Sequence, residues 1–143
     1  MTSAASVLVC ALSLLGRSVD SFPPIRLLDV RPPHASADAE AFVDPADPTI
    51  YVMTTSNVFI AAQAVPQCGD VQPMRKLASI LIHEEWHVRH GSNESGAYAA
   101  QLTALSMLGE QQDSRLYFGV RRAMAVAISR QRTTQASLMA RAR

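Results

Sequence analysis

The feature that most constrains the fold of this chain is an amphipathic stretch at residues 71–89. Its larger side chains recur at spacings of three and four, which predicts one long helix with a single buried face. The residues that carry this pattern are Leu77, Ile80, Leu81, Glu84, Trp86 and His87. We expect Asp70 to cap the start of the helix and Gly91 to end it.

This predicted helix carries the sequence HEEWH at residues 83–87. His83 and His87 are four residues apart, so a helix places their imidazoles on one face, where they can share one metal ion. Glu84 completes the pattern H-E-x-x-H, in which the two histidines bind zinc and the glutamate acts on a zinc-bound water. The pattern predicts a metal site with a water-activating carboxylate beside it.

Two residues compete for the place of third ligand, His90 and Glu94. A regular helix carries His90 about 10 Å along the axis from His83. Zinc–nitrogen bonds are only about 2 Å long, so His90 binds only if the helix unwinds. Glu94 opens the next helix, and a turn at Gly91 can fold that helix back over the first. We therefore predict Glu94 as the third ligand and keep His90 as the alternative.

The motif and the residues after it resemble the HExxH zinc metallopeptidases, the zincins, and most of all a small gluzincin. In that branch the third ligand is a glutamate on the helix after the motif, and ESGAYAAQ at residues 94–101 is similar to its E-x-x-A pattern. The resemblance covers about 30 residues. One departure is that only six residues separate His87 from Glu94, fewer than in many gluzincins.

The resemblance implies one Zn²⁺ ion, a peptide or protein substrate, and hydrolysis with Glu84 as the general base. Tyr98 shares a helix face with Glu94, so it is a candidate for stabilising an oxyanion, with packing as its other role. A strand at residues 50–55 would form the rim of the site and offer backbone groups to an extended peptide. The alternative function is a non-catalytic zinc-binding regulatory or interaction domain, which has no need of Glu84.

The length of 143 residues predicts a single domain spanning residues 1–143. The order of its predicted elements is α+β in class, and the resemblance implies a small zincin-like domain. We expect two or three short strands, at residues 25–30, 39–43 and 50–54, packed on the motif helix. A short helix capped by Ser56 follows the strands. A ligand helix from about residue 93 to residue 108 and a C-terminal helix at residues 113–130 complete the order. The C-terminal helix should bury Leu116, Val120, Met124 and Ile128.

The N-terminal residues 1–16 contain an apolar run at residues 7–15 that is too short to span a bilayer. No basic residue precedes the run and no A-x-A site follows it, which favours a folded helix ending at Gly16 over a signal peptide. A cytoplasmic location is favoured accordingly, and secretion is expected only if the run is a signal. Cys10 and Cys68 are expected to be small buried or half-buried side chains, and pairing between them stays open if the protein is exported.

The charge is uneven along the chain, although the net charge is only +1. Residues 115–143 contain seven arginines and no acid, so residues 1–114 carry six basic against twelve acidic residues. This pattern favours a solvated helix with a frayed tail at residues 131–143, and a patch for anionic surfaces is the alternative. Few aromatic residues interleave with the arginines, which argues against a nucleic-acid partner. The oligomeric state stays open.

Overall fold

The computed structural model describes residues 2–142 and contains five α-helices and three strands in this part of the chain. These elements are α1 (Ala4–Leu14), β1 (Ile25–Leu28), β2 (Ala41–Asp44), β3 (Asp47–Met53), α2 (Asn57–Gln63), α3 (Gln72–His90), α4 (Glu94–Met107) and α5 (Arg115–Arg141). Single 3₁₀ turns occur at Val19–Ser21 and Pro66–Cys68. The predicted α+β class is confirmed.

The three strands form one mixed sheet in the order β1-β3-β2. β1 runs parallel to β3, and β2 pairs antiparallel to β3 through a tight hairpin. The prediction that the strand at residues 50–55 forms the rim of the site is wrong, because β3 has a partner on each side. The edge strand that contacts α3 is β2.

The core lies where α1, α2 and the sheet pack against α3. α3 contributes Leu77 and Leu81, α2 contributes Phe59, and α1 contributes Val7 and Leu12, all at most 1% exposed. α1 packs one face into this core, at the residues predicted to form an N-terminal helix. Its end is also as predicted, since the chain turns at Gly16 with a φ of 67°, a conformation that favours glycine.

A disulfide joins Cys10 on α1 to Cys68 in the second 3₁₀ turn. The Cα atoms of the two cysteines are 5.3 Å apart, within the usual range for such a bond. The bond ties the first helix to the segment just before α3, so it fixes the helix that carries the H-E-x-x-H motif to the rest of the core.

The ends of two helices differ from the prediction. The N-cap of α3 is Val71, and the Asp70 carboxylate instead accepts a hydrogen bond from Arg75 Nε at 2.6 Å. α5 begins after the cap Ser114 and continues to Arg141, where a frayed tail was expected from residue 131; residues 1 and 143 lie outside the described part. Only Val120 of α5 is buried, because the helix meets the body of the protein along one narrow stripe that ends at Gln131 and is exposed beyond it. The other three apolar residues that were expected to be buried, Leu116, Met124 and Ile128, are half-buried.

No described helix has both the length and the apolarity needed to cross a membrane.

Candidate metal centre

The turn between α3 and α4 folds the second helix back along the first. Gly91 adopts a φ of 94°, which a residue with a side chain rarely does, and this ends α3 as predicted. The Asn93 side chain then accepts a hydrogen bond from the Ser95 backbone and caps α4. Glu94, in the first turn of α4, therefore returns to the face of α3 that carries the two histidines.

The structure brings His83, His87 and Glu94 into one group that could hold a metal ion. One ligand atom from each residue lies within 4.8 Å of the other two. The Glu94 carboxylate is 2.8 Å from His87 Nε2 and 3.4 Å from His83 Nε2, and the two Nε2 atoms are 3.2 Å apart. His90 lies outside this group and is exposed, its ring 4.8 Å from that of Trp86.

A buried chain of hydrogen bonds orients the ring of His83. Its Nδ1 is 2.9 Å from Oε1 of Gln101, whose amide nitrogen donates to Ser79 Oγ at 3.2 Å. Ser79 Oγ in turn donates to the Lys76 carbonyl at 2.7 Å. Because the amide nitrogen of Gln101 is used by Ser79, its oxygen accepts the proton on Nδ1, and Nε2 of His83 is left with its lone pair for a ligand.

The ring of His87 is held in the same tautomer by the backbone. Its Nδ1 donates to the Gly91 carbonyl at 2.7 Å, so its Nε2 also points at Glu94. Two imidazole nitrogens and one carboxylate oxygen converge on one point, which is a donor set used by catalytic zinc sites. The residues present therefore fit a zinc ion.

Glu94 and His87 shift each other's pKa in opposite directions. Burial tends to raise the pKa of Glu94, but the rings of His83 and His87 that face its carboxylate outweigh burial and lower that pKa to about 2. Burial tends to lower the pKa of His87, but its bonds to Glu94 and to the Gly91 carbonyl outweigh it and raise that pKa. Glu94 and His87 thus favour each other's charged forms, and a cation bound between them would compete with the proton on His87.

Glu84 is only 7% exposed and lines the same cavity as the metal group. Burial raises the pKa of its carboxyl, and the charges of His83 and His87 oppose this rise. Glu85, by contrast, binds Arg17 at 2.5 Å and Arg89 at 3.2 Å on another side of α3. Only the first of the two adjacent glutamates is placed to act in the cavity.

The cavity has a volume of about 1210 Å³ and lies between β2 on one side and α3, α4 and α5 on the other. Tyr98 lines it, with its ring edge-on to that of His83 at a centroid distance of 4.5 Å. Burial, together with the charges of Glu94 and Glu84, raises the pKa of the Tyr98 hydroxyl. Tyr98 therefore both packs on a ligand ring and remains a protonated donor facing the cavity.

Close contact between α3 and α4 depends on Gly96. A Cβ atom at this position would lie 2.1 Å from Cζ2 of Trp86, so the indole occupies the space that any side chain here would need. Trp86, which the sequence places on the flank of the metal face, fills the gap between the two helices. The missing side chain at Gly96 allows α4 to come close enough for Glu94 to reach the histidines.

α5 supports the turn that carries Glu94. Gln131 donates from Nε2 to the Ser92 carbonyl at 2.9 Å, and its Oε1 accepts from the Glu94 backbone at 3.3 Å. No pattern in the sequence had predicted a role for Gln131, Gln101 or Ser79. One signal did exist for Gln101, which lies seven residues after Glu94 and so shares its helix face.

Comparison of the chain with models of protein families, with curated proteins and with solved structures finds no match.

Proposed function

We propose that this chain is a zinc-dependent hydrolase and that it cleaves peptide bonds. The observation that carries the proposal is the convergence of His83, His87 and Glu94 on one point, with Glu84 facing the same cavity. Three protein donors leave a coordination position for water or substrate, as in zinc enzymes, whereas structural zinc sites close all four positions with protein ligands.

Each residue then has a separate task. Nε2 of His83, Nε2 of His87 and the Glu94 carboxylate would hold the ion, which would polarise a water and the substrate carbonyl. Glu84 takes the proton from the attacking water and passes it to the nitrogen of the leaving amine. Its burial supports this task, because a raised pKa allows the carboxyl to hold the proton between the two transfers. Tyr98 can donate a hydrogen bond to the oxygen on which negative charge develops.

The shape of the cavity supports a peptide as substrate. β2 pairs with β3 along one side only, and residues 41–44 of β2 line the cavity. A strand with an unpaired edge can bind an extended peptide through backbone hydrogen bonds. The edge strand of the site is thus β2, in place of the strand first predicted for that role.

The proposal is tested by metal content and activity in the same set of variants. We expect close to one zinc per wild-type chain, and a loss of zinc in His83→Ala, His87→Ala and Glu94→Ala. His90→Ala is the matched control on the same helix and should keep its zinc. Full zinc content in Glu94→Ala would remove Glu94 from the ligand set.

Glu84→Gln separates catalysis from metal binding. This variant should keep its zinc and lose peptide cleavage, since the amide cannot accept the proton from water. Activity equal to that of wild type would remove Glu84 as the base. A wild-type protein that binds zinc but cleaves nothing in a broad peptide library would favour the alternative, a non-catalytic zinc-binding domain.

A further inference from the structure

We propose that α5 docks the protein on the surface of an anionic lipid bilayer. The contact would be made by the outer face of α5, which consists of Phe118, Arg121, Arg122, Arg132 and Met139. With about 100° between successive residues, these five side chains point about 100° to 200° away from Val120, the buried residue of the helix. All five are exposed.

α5 is free to make such a contact because little of it is packed. It extends over 27 residues, and residues 132–142 are exposed on every side. A helix that continues to Arg141 holds Arg121, Arg122 and Arg132 on one fixed face, which a frayed tail would not do. The sequence alone did not predict that the helix continues beyond residue 130.

The charge of α5 fits an anionic partner. Its six arginines within the described residues are accompanied by no acid. Among the described residues, the ion pairs involve Arg17, Arg75, Lys76, Arg89 and the metal-group histidines, and none involves an arginine of α5. A solvated helix face commonly mixes charges of both signs in i, i+4 pairs, and this face does not.

Apolar side chains on the same face favour a lipid surface over a nucleic acid. Phe118 is 56% exposed and Met139 is 64% exposed, and both project among the arginines. At a bilayer surface, arginines bind lipid phosphates while such apolar groups enter the boundary between headgroups and acyl chains. Binding to a phosphate backbone makes no use of them.

The distribution of charge over the whole molecule would also orient it. Residues 1–114 carry six basic and twelve acidic residues, so the rest of the protein is repelled by the surface that attracts α5. The protein should therefore bind by this helix and by no other side. A second copy of the chain would offer acidic groups too, and self-association through α5 without vesicle binding would overturn the proposal.

The test is cosedimentation of the full-length protein with vesicles of phosphatidylcholine, with and without phosphatidylserine. We expect binding only to the vesicles that contain phosphatidylserine, and weaker binding at high salt. Each arginine at such a surface contributes about fivefold to the affinity. Arg132→Gln should therefore weaken binding about fivefold, and Arg121→Gln with Arg132→Gln about 30-fold. Arg26→Gln, an exposed arginine on β1, is the matched control and should bind like wild type.

Met139→Ser distinguishes a lipid from another polyanion. It should weaken binding to the vesicles while leaving any binding to a DNA duplex unchanged. Failure to bind vesicles with phosphatidylserine at low salt would overturn the proposal. Equal loss in Arg26→Gln and Arg132→Gln, or vesicle binding that Met139→Ser does not affect, would overturn it as well. Zinc content of each variant shows independently that the fold is intact.

Discussion

Replacement of Gly96 by alanine would place a methyl group inside the indole of Trp86. The new Cβ would lie 2.1, 2.5 and 2.7 Å from three ring atoms, whereas ordinary contacts begin at 3.4 Å. The two groups must therefore move apart by about 1.3 Å along the closest contact. The indole is rigid and its other side contacts the tilted ring of His90, so we expect α4 to shift instead.

A movement of this size is large on the scale of a metal site. Metal–ligand distances hold to within about 0.2 Å, and Glu94 lies only two residues before Gly96 in the same helical turn. We expect Gly96→Ala to weaken zinc binding by about 10- to 100-fold, as for other changes that misplace a ligand. Helix propensity alone predicts the opposite direction, a gain in stability of about 1 kcal/mol. Overpacking costs about 1–3 kcal/mol and should outweigh that gain.

The assay is zinc affinity by competition with a chelator, together with urea unfolding of the metal-free protein. Gly119→Ala is the matched control, because a Cβ at that position on α5 meets nothing within 4 Å. It should raise the free energy of unfolding by about 0.5–1 kcal/mol and leave zinc affinity unchanged. Adding Trp86→Leu to Gly96→Ala should restore part of the affinity. Wild-type zinc affinity in Gly96→Ala would show that this contact does not position Glu94.

Three further predictions concern the surroundings of the site. Gln101→Leu should weaken zinc binding about 10- to 100-fold. Gln101→Glu, which still accepts the proton of His83 Nδ1, should lose less affinity. Equal zinc affinity in these two variants and the wild type would contradict the orienting role of Gln101. In the protein freed of metal by a chelator, the raised pKa of His87 contributes stability. That contribution is complete below pH 6.5 and is lost as the pH rises through the pKa of His87 in the folded state. The contribution of Glu94, with a pKa of about 2, is present above pH 4.5 and is lost only as the pH falls towards 2. Urea unfolding should therefore show stability decreasing across neutral pH in the metal-free wild type and a flatter profile in His87→Ala. The double variant Cys10→Ser with Cys68→Ser lacks the disulfide, whose cysteines are separated by 58 positions. Its free energy of unfolding should be lower by about 4 kcal/mol. An unchanged urea midpoint would refute this.

The parts of the site that the sequence predicted are those fixed by local geometry. Helix periodicity alone places His83 beside His87, and helix rise alone carries His90 past the group formed with Glu94. Gly91 signals the turn that returns Glu94, and its positive φ confirms that prediction. All of these features lie within a dozen residues of one another, where chain connectivity decides which groups meet.

The parts that were missed depend on contacts between distant segments. β3 was assigned to the edge because its position in the sheet depends on parallel pairing with β1, which no local pattern reveals. The role of Gln131 could not be predicted from the sequence, because it requires α5 to cross the turn at Ser92. The C-terminal residues were expected to fray because their composition offers no buried stripe, yet no glycine or proline after Gly119 interrupts the helix.

The two faces of α5 relate to the metal centre in different ways. Gln131 lies about 20° from Val120 around the helix, on the side that meets α4 and the ligand turn, whereas Arg121 and Arg132 lie about 100° to 120° away. A bilayer that binds the outer face therefore does not have to displace the hydrogen bonds of Gln131 to Ser92 and Glu94. We expect zinc affinity to be the same with and without vesicles that contain phosphatidylserine. Gln131→Ala should weaken zinc binding and leave vesicle binding unchanged. If Gln131→Ala altered vesicle binding as well as zinc affinity, α5 would have to move as a whole when it docks. A change in zinc affinity on adding the vesicles would show the same.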